Sequence, residues 1–339
     1  MKKKLAGFSS VFLASALILG ACGGDEADNG GSSSNGDDKE NVTIGVTQIV
    51  EHPSLDDAFE GFKEALEENG YIEGENVTFD EHNAANDMSA NSTIATNLAS
   101  SGVDLIFANS TPSAQSVLNA TTDIPIVFTA VTDPVGAELV EALDKPGENI
   151  TGTTDSHPDA ISNTINFMID ELEADTIGVI YNAGEQNSTV QFEEVKRIAE
   201  EGGVKVEGAS VSTSAEVKQA AESLLGRADA MYVPTDNTVV SALDSVIGVA
   251  EDNDIPLLVG ELDSMERGGL AASGFNYFDL GYDTGLMAVD ILNGDKTTAE
   301  IPVALPQSIE LVINTQAAEK QGVEIKDEWS DMAEMFEGN

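Results

Sequence analysis

The chain has very little positive charge and a single cysteine. Its 339 residues include 61 acidic and only 15 basic ones, which gives a formal net charge of −46. A surface of this sign repels nucleic acid and anionic lipid, so both are poor candidates for partners. Cys22 has no second cysteine with which to form an intrachain disulfide. The carboxylates are scattered without the spacing of a calcium loop, so we predict a solvated acidic surface suited to high salt or high pH and no metal site.

The chain also lacks the common signatures of catalysis. Its three histidines, His52, His82 and His157, are far apart in the sequence. No Gly-x-Ser-x-Gly elbow, His-x-x-x-His pair or Gly-x-x-x-x-Gly-Lys loop occurs. We therefore predict a protein that is not an enzyme and uses no cofactor. One catalytic alternative stays open, a hydrolase that works with a carboxylate pair such as Asp133 and Asp263.

The N-terminus carries a hydrophobic run, from Val11 to Leu19, that is too short to span a membrane comfortably. It follows three lysines and precedes Leu-Gly-Ala-Cys, which is typical of an export signal. Small residues directly before Cys22 resemble the bacterial lipobox, which implies removal of residues 1–21 and a lipid anchor on Cys22. The alternative is an ordinary signal peptide followed by a chance cysteine. Residues 22–41 are mostly Gly, Ser, Asn, Asp and Glu, which predicts a disordered acidic tether.

Residues 42–135 and 176–263 repeat one pattern. Each copy opens with a strand-like segment, continues with an amphipathic helix and returns to apolar strand-like segments. Both copies close on Asp-Ile-Pro followed by an apolar run. Strands that alternate with helices predict parallel sheets. We therefore predict an α/β protein with two similar doubly wound parallel-sheet lobes, and a ligand-binding cleft between them.

Polar loops follow the predicted strands at the edge that would face this cleft. Thr111 followed by Pro112 is typical of a helix N-cap with Pro in the first turn, which leaves backbone N–H groups free for a carboxylate. The alternative is a cap that serves only its own helix. In the repeat, Thr111 aligns with Asp236. One lobe would then offer N–H donors and the other a carboxylate, which is the polarity that a zwitterion needs.

Three motifs are more specific than the repeat: GVTQIVEHP at 45–53, IPIVFTAVTDPVG at 124–136 and YVPTDNT at 232–238. Together they resemble ABC transporter substrate-binding lipoproteins of the tryptophan/tyrosine-binding type, and the resemblance extends from about Val42 to Ile325. It implies a periplasmic-binding-protein type I fold whose two lobes are joined by three crossings. It also implies a monomeric receptor that captures a small zwitterion, an aromatic or other hydrophobic amino acid, and delivers it to an ABC permease and its ATPase. With the lipobox, it implies a lipid anchor on the outer face of a Gram-positive cell membrane.

A sugar or nucleoside receptor on the same fold remains an alternative. Sugar sites often use stacking aromatic rings and arginine side chains. This chain has three arginines and no tryptophan before Trp329, which favours the amino acid. The polar side chains that would serve sugar hydroxyls are Asn187, Asp236, Asn237 and Asp263.

The implied fold also assigns the segments of the chain. Lobe 1 is expected at 42–152 and 275–305, lobe 2 at 153–274 and 306–330, and an acidic C-terminal tail at 331–339. The crossings are expected at 147–153, near 268–274 and at 309–314, with a helix from Leu280 to Leu292 that returns to lobe 1. Residues 326–339, with Trp329, are expected to form a surface tail that packs on lobe 2.

Roles follow for individual residues. Ser110, Thr111 and the N–H group of Ser113 are expected to bind the ligand carboxylate. Asp236 is expected to pair with the ammonium, and Asp263 is the second candidate for this role. The rest of the polar shell is expected to be Gln48, Thr129, Asn187 and Asn237. The candidates for the side-chain pocket are His52, Phe128, Tyr181 and Tyr277. Phe128 is more typical of core, and the alternative role of His52 is to cap a helix.

Overall fold

The computed structural model describes residues 41–338, which belong to one compact unit. The predicted signal segment, Cys22 and all but the last residue of the predicted tether lie outside the described residues. Within residues 41–338, no helix is both long enough and apolar enough to cross a membrane.

Lobe 1 is built on a parallel five-stranded sheet in the order β2-β1-β3-β4-β5. Its first elements are β1 (Val42–Gln48), α1 (Pro53–Glu68), β2 (Val77–Asn83), α2 (Met88–Ser101), β3 (Leu105–Asn109), α3 (Thr111–Ala120), β4 (Ile126–Thr129) and β5 (Ile150–Gly152). The apolar residues of β1, β3 and β4 are buried on both faces, as expected for strands covered by helices. Gln48, Asn109 and Thr129 end these strands in register, so their polar side chains meet at one edge of the sheet.

Lobe 2 is built on a seven-stranded sheet in the order β12-β11-β10-β9-β8-β6-β7. The chain enters it through α4 (Ala160–Asp170), β6 (Thr176–Asn182), α5 (Gln186–Glu201), β7 (Lys205–Val211), α6 (Val217–Leu224), β8 (Ala230–Val233), α7 (Asn237–Val240), α8 (Leu243–Asp252), β9 (Leu257–Val259), α9 (Leu262–Arg267) and β10 (Ala271–Gly274). It returns to lobe 1 as α10 (Tyr277–Leu292) and ends in lobe 2 with β11 (Glu310–Asn314), α11 (Thr315–Lys320) and β12 (Glu334–Phe336). Only β11 runs antiparallel to its neighbour β10. The predicted two-lobed parallel architecture is confirmed.

Two of the three crossings lie just beyond the segments that the sequence predicted for them, and the third lies just before its predicted segment. Residues 150–152 pair with β4 as the last strand of lobe 1, and the chain leaves that lobe after Gly152. Residues 271–274 likewise form β10 inside lobe 2, and the crossing follows them. The third crossing precedes β11. The predicted hinge residues belong to strands because their backbone groups complete the sheet ladders, so we expect the dihedral changes of closure in the short connecting segments next to these strands.

The C-terminal segment is not a surface tail. Trp329 has no exposed surface, packs against Phe167 with ring centroids 5.0 Å apart and ring planes tilted by 58°, and donates from Nε1 to Glu171 at 2.7 Å. Glu334–Phe336 then pairs with β11 as the edge strand of the sheet. The segment packs on lobe 2, but a large indole with a partner for its N–H group is more stable in the core than at the surface. The acidic residues around Trp329 concealed this in the sequence.

Candidate ligand site between the lobes

The two lobes contact each other directly. Ser54, in the first turn of α1, donates from Oγ to Oε2 of Glu261 in lobe 2 at 2.7 Å. Asn86, after β2, donates from Nδ2 to Oγ1 of Thr238 at 2.7 Å. These bonds join side chains that are distant in sequence and lie on opposite sides of the cleft. The structure therefore has its lobes closed.

The closed cleft contains two adjoining chambers. The inner chamber is narrow, about 10 Å³ in volume, and is lined by His52, Leu55, Ala130, Asp155, Asn187, Thr235, Asn237, Glu261 and Tyr277. The outer chamber, about 20 Å³ in volume, is lined by Thr132, Asp155, Ser156, His157, Ala160, Ile161, Gln191, Tyr232, Thr235, Gly260, Ser273 and Phe275. Asp155 and Thr235 line both, so the chambers meet at these two residues.

Asp155 presents a free carboxylate oxygen at this junction. Oδ2 accepts a hydrogen bond from the Tyr277 hydroxyl at 3.0 Å. Oδ1 is shielded from solvent and makes no hydrogen bond of normal geometry, and the Thr132 hydroxyl beside it is the nearest donor, which partly offsets the effect of burial on the pKa of Asp155. The residue as a whole keeps some exposed surface, but burial of its carboxylate raises the pKa of Asp155 to about 6. A buried carboxylate with a vacant acceptor is suited to a cation.

His52 faces the inner chamber and does not cap its helix. It occupies the N-cap position of α1, yet its side chain makes no capping hydrogen bond. The ring is 5 % exposed, Asn237 of lobe 2 lies against it, and Nδ1 is buried without a partner. Burial lowers the pKa of His52 to about 4. The imidazole is therefore neutral at neutral pH, with one ring nitrogen that donates and one that accepts.

Asn187 and Asn237, which the sequence predicted for the polar shell, line the inner chamber, and Glu185 holds Asn237 in place. Asn237 donates from Nδ2 to Oε2 of Glu185 at 2.6 Å. Asn187 donates to the carbonyl of Thr235 at 3.0 Å, and its Oδ1 is buried without a partner. The network continues from Glu185 to Asn182, at the end of β6. Asn237 is thus fixed before a ligand arrives.

Asp236 lies inside lobe 2 and lines neither chamber. Oδ1 accepts from the backbone N–H of Val239, as the N-cap of α7, and Oδ2 accepts from the backbone N–H of Asn182. Burial, and then the charge of Glu185, raises the pKa of Asp236 to about 7. Both oxygens already have partners, so this geometry gives Asp236 the role of a cap rather than that of the ammonium partner that we predicted.

The predicted carboxylate site at α3 also lies outside the chambers. The helix begins at Thr111, so its N-cap is Ser110 and not Thr111. Ser110 has a φ of 92°, a strained value for a residue with a side chain, and its N–H group donates to the carbonyl of Thr129. The hydroxyl of Thr111 is buried without a partner. Ser110, Thr111 and Ser113 are buried within lobe 1 and line neither chamber.

The other predicted site residues are divided between the cleft and the lobe interiors. Tyr277 lines the inner chamber. Gln48 hydrogen-bonds Asp56 and Asn109, and Thr129 hydrogen-bonds Thr153. Phe128 is wholly buried. Tyr181 stacks on Phe192 with ring centroids 4.2 Å apart. A strand that ends at the cleft places alternate side chains on opposite faces, and Tyr181 points to the far one.

The carboxylate pair of the alternative hydrolase is not assembled. Asp263 lies on α9, where burial raises its pKa to about 7. Asp133 accepts from the N–H group of Gly136 in a turn. Neither lines the inner or the outer chamber. Among residues 41–338, no group of three or more His, Cys, Asp or Glu side chains is arranged to hold a metal ion.

The residues that sequence reasoning missed are Asp155, Thr235, Glu261 and Thr132. Thr235 and Glu261 do follow strands β8 and β9, so the rule that ligands gather at the carboxyl ends of parallel strands pointed to their loops. Asp155 lies on the first crossing, outside the repeats, where that rule gives no signal. Its neighbour Thr132 lies in the 124–136 motif.

A comparison with known families agrees with this geometry. The family model for ABC transporter substrate binding proteins matches residues 43–336. The chain belongs to this family. It is therefore a substrate-binding protein of an ABC transporter, with the periplasmic-binding-protein type I fold, and the resemblance noted from the three motifs is confirmed. The family model is described by substrate binding in ABC transport, and the curated relative by binding of tyrosine.

The names of two relatives state a ligand of those proteins. A tyrosine-binding protein of Clostridioides difficile (strain R20291) is 42% identical over 314 residues, which cover 92% of this chain and 90% of the relative. An ABC domain from Streptococcus pneumoniae, solved in complex with L-Trp, is 34% identical with a TM-score of 0.82, and the match covers 88% of this chain and 100% of that one.

A third relative bears on lobe closure. The ligand-free, open structure of a substrate binding protein with adhesive properties from Clostridium difficile is 44% identical, over 88% of this chain and 100% of that one. Its TM-score is only 0.64, lower than that of the less similar L-Trp complex. The difference agrees with the interlobe hydrogen bonds, which place the lobes of this chain in the closed arrangement.

Proposed function

We propose that this substrate-binding protein captures a free amino acid with an aromatic side chain and delivers it to an ABC permease and its ATPase. The observation that carries the proposal is the free oxygen of Asp155, which faces the junction of two chambers inside a closed cleft. An ammonium group would give this carboxylate its missing partner. The relatives named for tyrosine and solved with L-Trp support the same ligand class.

Closure supplies the affinity in this proposal. The inner chamber is lined by His52 and Tyr277 from lobe 1 and by Asn187 and Asn237 from lobe 2. A ligand in contact with both lobes favours the arrangement in which they meet. The bond from Ser54 to Glu261 then exists only while the cleft is shut. Because the closed receptor is what a permease must distinguish from the open one, the same contacts would couple capture to delivery.

The site is proposed to bind without chemical change. Ser156 and His157 both line the outer chamber, but Nδ1 of His157 accepts from the backbone N–H of Asp159 and is not paired with the Ser156 hydroxyl, as a nucleophile and its base would be. The bound amino acid should be recovered unaltered after prolonged incubation. Release of a new product from the wild-type protein would contradict this part of the proposal.

We also propose that Cys22 carries a lipid that anchors the protein to the outer face of a Gram-positive-type cell membrane. The support is the small-residue pattern that precedes this cysteine and the basic, apolar segment before it. In cells, Cys22→Ala should shift the protein from the membrane fraction to the medium. Retention of the variant in the membrane would contradict lipidation.

Calorimetric titration of the purified protein with amino acids, sugars and nucleosides tests the ligand. We expect binding of tyrosine or tryptophan and no binding of sugars or nucleosides. Asp155→Asn should weaken amino acid binding about 10- to 100-fold, because a charge-assisted hydrogen bond contributes about 1.5–3 kcal/mol.

The matched control is Asp133→Asn, which removes a carboxylate of the same size from a turn beside the cleft and should leave affinity unchanged. Asp155→Asn should fold normally, since the pKa raised by burial shows that its charge is not favoured by folding. Equal affinity of Asp155→Asn and wild type would remove Asp155 from the site. Binding of a sugar in place of amino acids would contradict the proposed ligand class.

A further inference from the structure

Neither capping of α1 nor a hydrogen bond within lobe 1 accounts for the position of the buried His52 ring. It is 5 % exposed, makes no capping bond to α1, and lines the inner chamber with Nδ1 unpartnered. A buried ring nitrogen that lacks a partner costs free energy unless a ligand supplies one. Asn237 holds the ring from the opposite lobe, so the orientation of the imidazole is fixed only when the cleft is closed.

The charges around the chambers determine which end of an amino acid can reach His52. The inner chamber is lined by two acids, Asp155 and Glu261, and the negative charges of Asp56 and Glu185 also reach His52, against one positive charge, that of Arg267. Among the described residues that line the outer chamber, Asp155 is the only acid. A ligand carboxylate is therefore repelled from the inner chamber and favoured in the outer one, which the Thr132 hydroxyl also lines.

The orientation of the whole ligand follows. The ammonium lies at Asp155, where the chambers meet, and the carboxylate lies in the outer chamber. The side chain would then extend towards the inner chamber, which must widen to admit a ring between Leu55, Ala130 and the ring of Tyr277. These groups surround the body of a ring with apolar surface. The far end of the ring reaches the polar group formed by His52, Asn187 and Asn237.

We infer that His52 is a specificity-determining residue, whose ring nitrogen hydrogen-bonds the polar tip of the ligand's aromatic side chain. The receptor thereby favours rings that carry a hydroxyl or N–H group over the unsubstituted ring of phenylalanine. This inference rests on the proposed binding of an aromatic amino acid. A site built to bond a ligand hydroxyl rejects the analogue that lacks it, because the buried partner is then left unsatisfied.

The test is calorimetric titration of the purified protein with tyrosine, tryptophan and phenylalanine. Wild type should bind tyrosine or tryptophan at least about tenfold more tightly than phenylalanine, as expected for one buried hydrogen bond. His52→Leu should reduce this ratio to about one without weakening phenylalanine binding, whereas His52→Gln, which keeps a polar tip, should retain part of it. His82→Gln is the matched control, since His82 lies on β2, away from both chambers, and should leave the ratio unchanged.

A second measurement does not depend on folding of a variant. The chain has only three histidines, so nitrogen-15 NMR can resolve the ring nitrogens of His52, His82 and His157 in the wild-type protein. A hydroxylated or N–H-bearing ligand should shift the His52 ring signals more than phenylalanine does, and should leave those of His82 unchanged.

The outcomes separate this inference from the proposed function. Equal wild-type affinity for all three amino acids, equal His52 shifts with all three, or an equal loss of all three in His52→Leu would overturn the role of His52 and leave the amino acid receptor in place. Absence of binding by any amino acid would overturn both.

Discussion

Two buried carboxylates of raised pKa have different roles because their oxygens have different partners. Asp155 has one oxygen bonded to Tyr277 and one without a partner at the cavity. Asp236 has both oxygens bonded to backbone N–H groups, from Val239 and Asn182. A carboxylate that is fully bonded inside its lobe stabilises the fold, and one with a free oxygen at a cavity is available to a ligand.

Asp236→Asn should therefore lower stability more than affinity. The amide replaces one acceptor with an NH₂ group that faces a backbone donor, so one buried N–H group loses its partner, at a cost of about 1–3 kcal/mol. Thermal unfolding should show a lower midpoint than wild type. Calorimetry well below that midpoint should show less than a tenfold loss of ligand affinity. A variant of unchanged stability that no longer binds would restore Asp236 as the ammonium partner.

For single residues, the sequence predicted which side chains lie near the inner chamber better than it predicted the hydrogen bonds that each side chain makes. Asn187, Asn237, His52 and Tyr277 do line the inner chamber, because the loops after parallel strands face the cleft. The same rule does not say which side chains of those loops point inward. It therefore led to a predicted bond between Asp236 and the ligand, whereas Asp236 caps its own helix. Asp155 was missed because it lies on a crossing between lobes.

Among the helices, α1 and α10 pack closely, and glycine makes this possible. A Cβ atom added at Gly281 would lie 1.7 Å from the carbonyl oxygen of Ala58, and one at Gly61 would lie 2.0 Å from that of Phe278. Backbone atoms cannot move aside as a flexible side chain can. Since α1 also carries His52 at its start and Ser54 in its first turn, the position of α10 fixes one wall of the cleft.

Gly281→Ala should therefore destabilise the protein, by at least the 1–3 kcal/mol typical of overpacking. The matched control is Gly248→Ala, on helix α8, where an added Cβ has no atom within 4 Å. That change should stabilise by up to about 1 kcal/mol, because alanine favours a helix more than glycine does. Thermal unfolding followed by circular dichroism measures both. A Gly281→Ala midpoint at or above that of wild type would show that the two helices can separate at little cost.

At the scale of elements, the sequence predicted strands well and hinges poorly. The period and apolarity of a strand such as 150–152 are visible in the sequence, but which sheet it completes depends on distant pairing with β4. The small residues at 271–274 are compatible with either a hinge or a strand. Trp329 shows the same limit, because only the assembled lobe provides Phe167 and Glu171 as its partners.

For the whole molecule, buried carboxylates and surface charge both favour mildly acidic pH. Burial raises the pKa of Asp155 to about 6 and those of Asp236 and Asp263 to about 7, above the ordinary value of 3.8. The folded state therefore binds these protons more tightly than the unfolded state does. The stability that they contribute is fully present below about pH 4 and is lost as pH rises through 6 and 7. Repulsion between like charges in a chain of net charge −46 also lowers the stability of the folded state as pH rises.

His52 opposes this trend in a different range of pH. Burial lowers its pKa to about 4, from 6.5 in the unfolded chain. Its contribution is complete above pH 6.5 and is lost as pH falls from there towards 4. Between pH 8 and 6.5 the carboxylates therefore act with little opposition.

We expect the midpoint of thermal unfolding to rise by several degrees as pH falls from 8 to 6.5. Measurement in 1 M NaCl, where the screening length is about 3 Å, isolates the buried carboxylates, because repulsion between surface charges is then largely screened. At about 0.01 M NaCl the midpoint should be lower at every pH, since self-repulsion acts over about 30 Å. Asp263→Asn, which removes one raised carboxylate outside both chambers, should flatten the pH dependence in 1 M NaCl. A midpoint that stays constant from pH 8 to 6.5 in 1 M NaCl would mean that the buried carboxylates titrate alike in the folded and unfolded chains, and the cost of burial argued for Asp155 would fail with it.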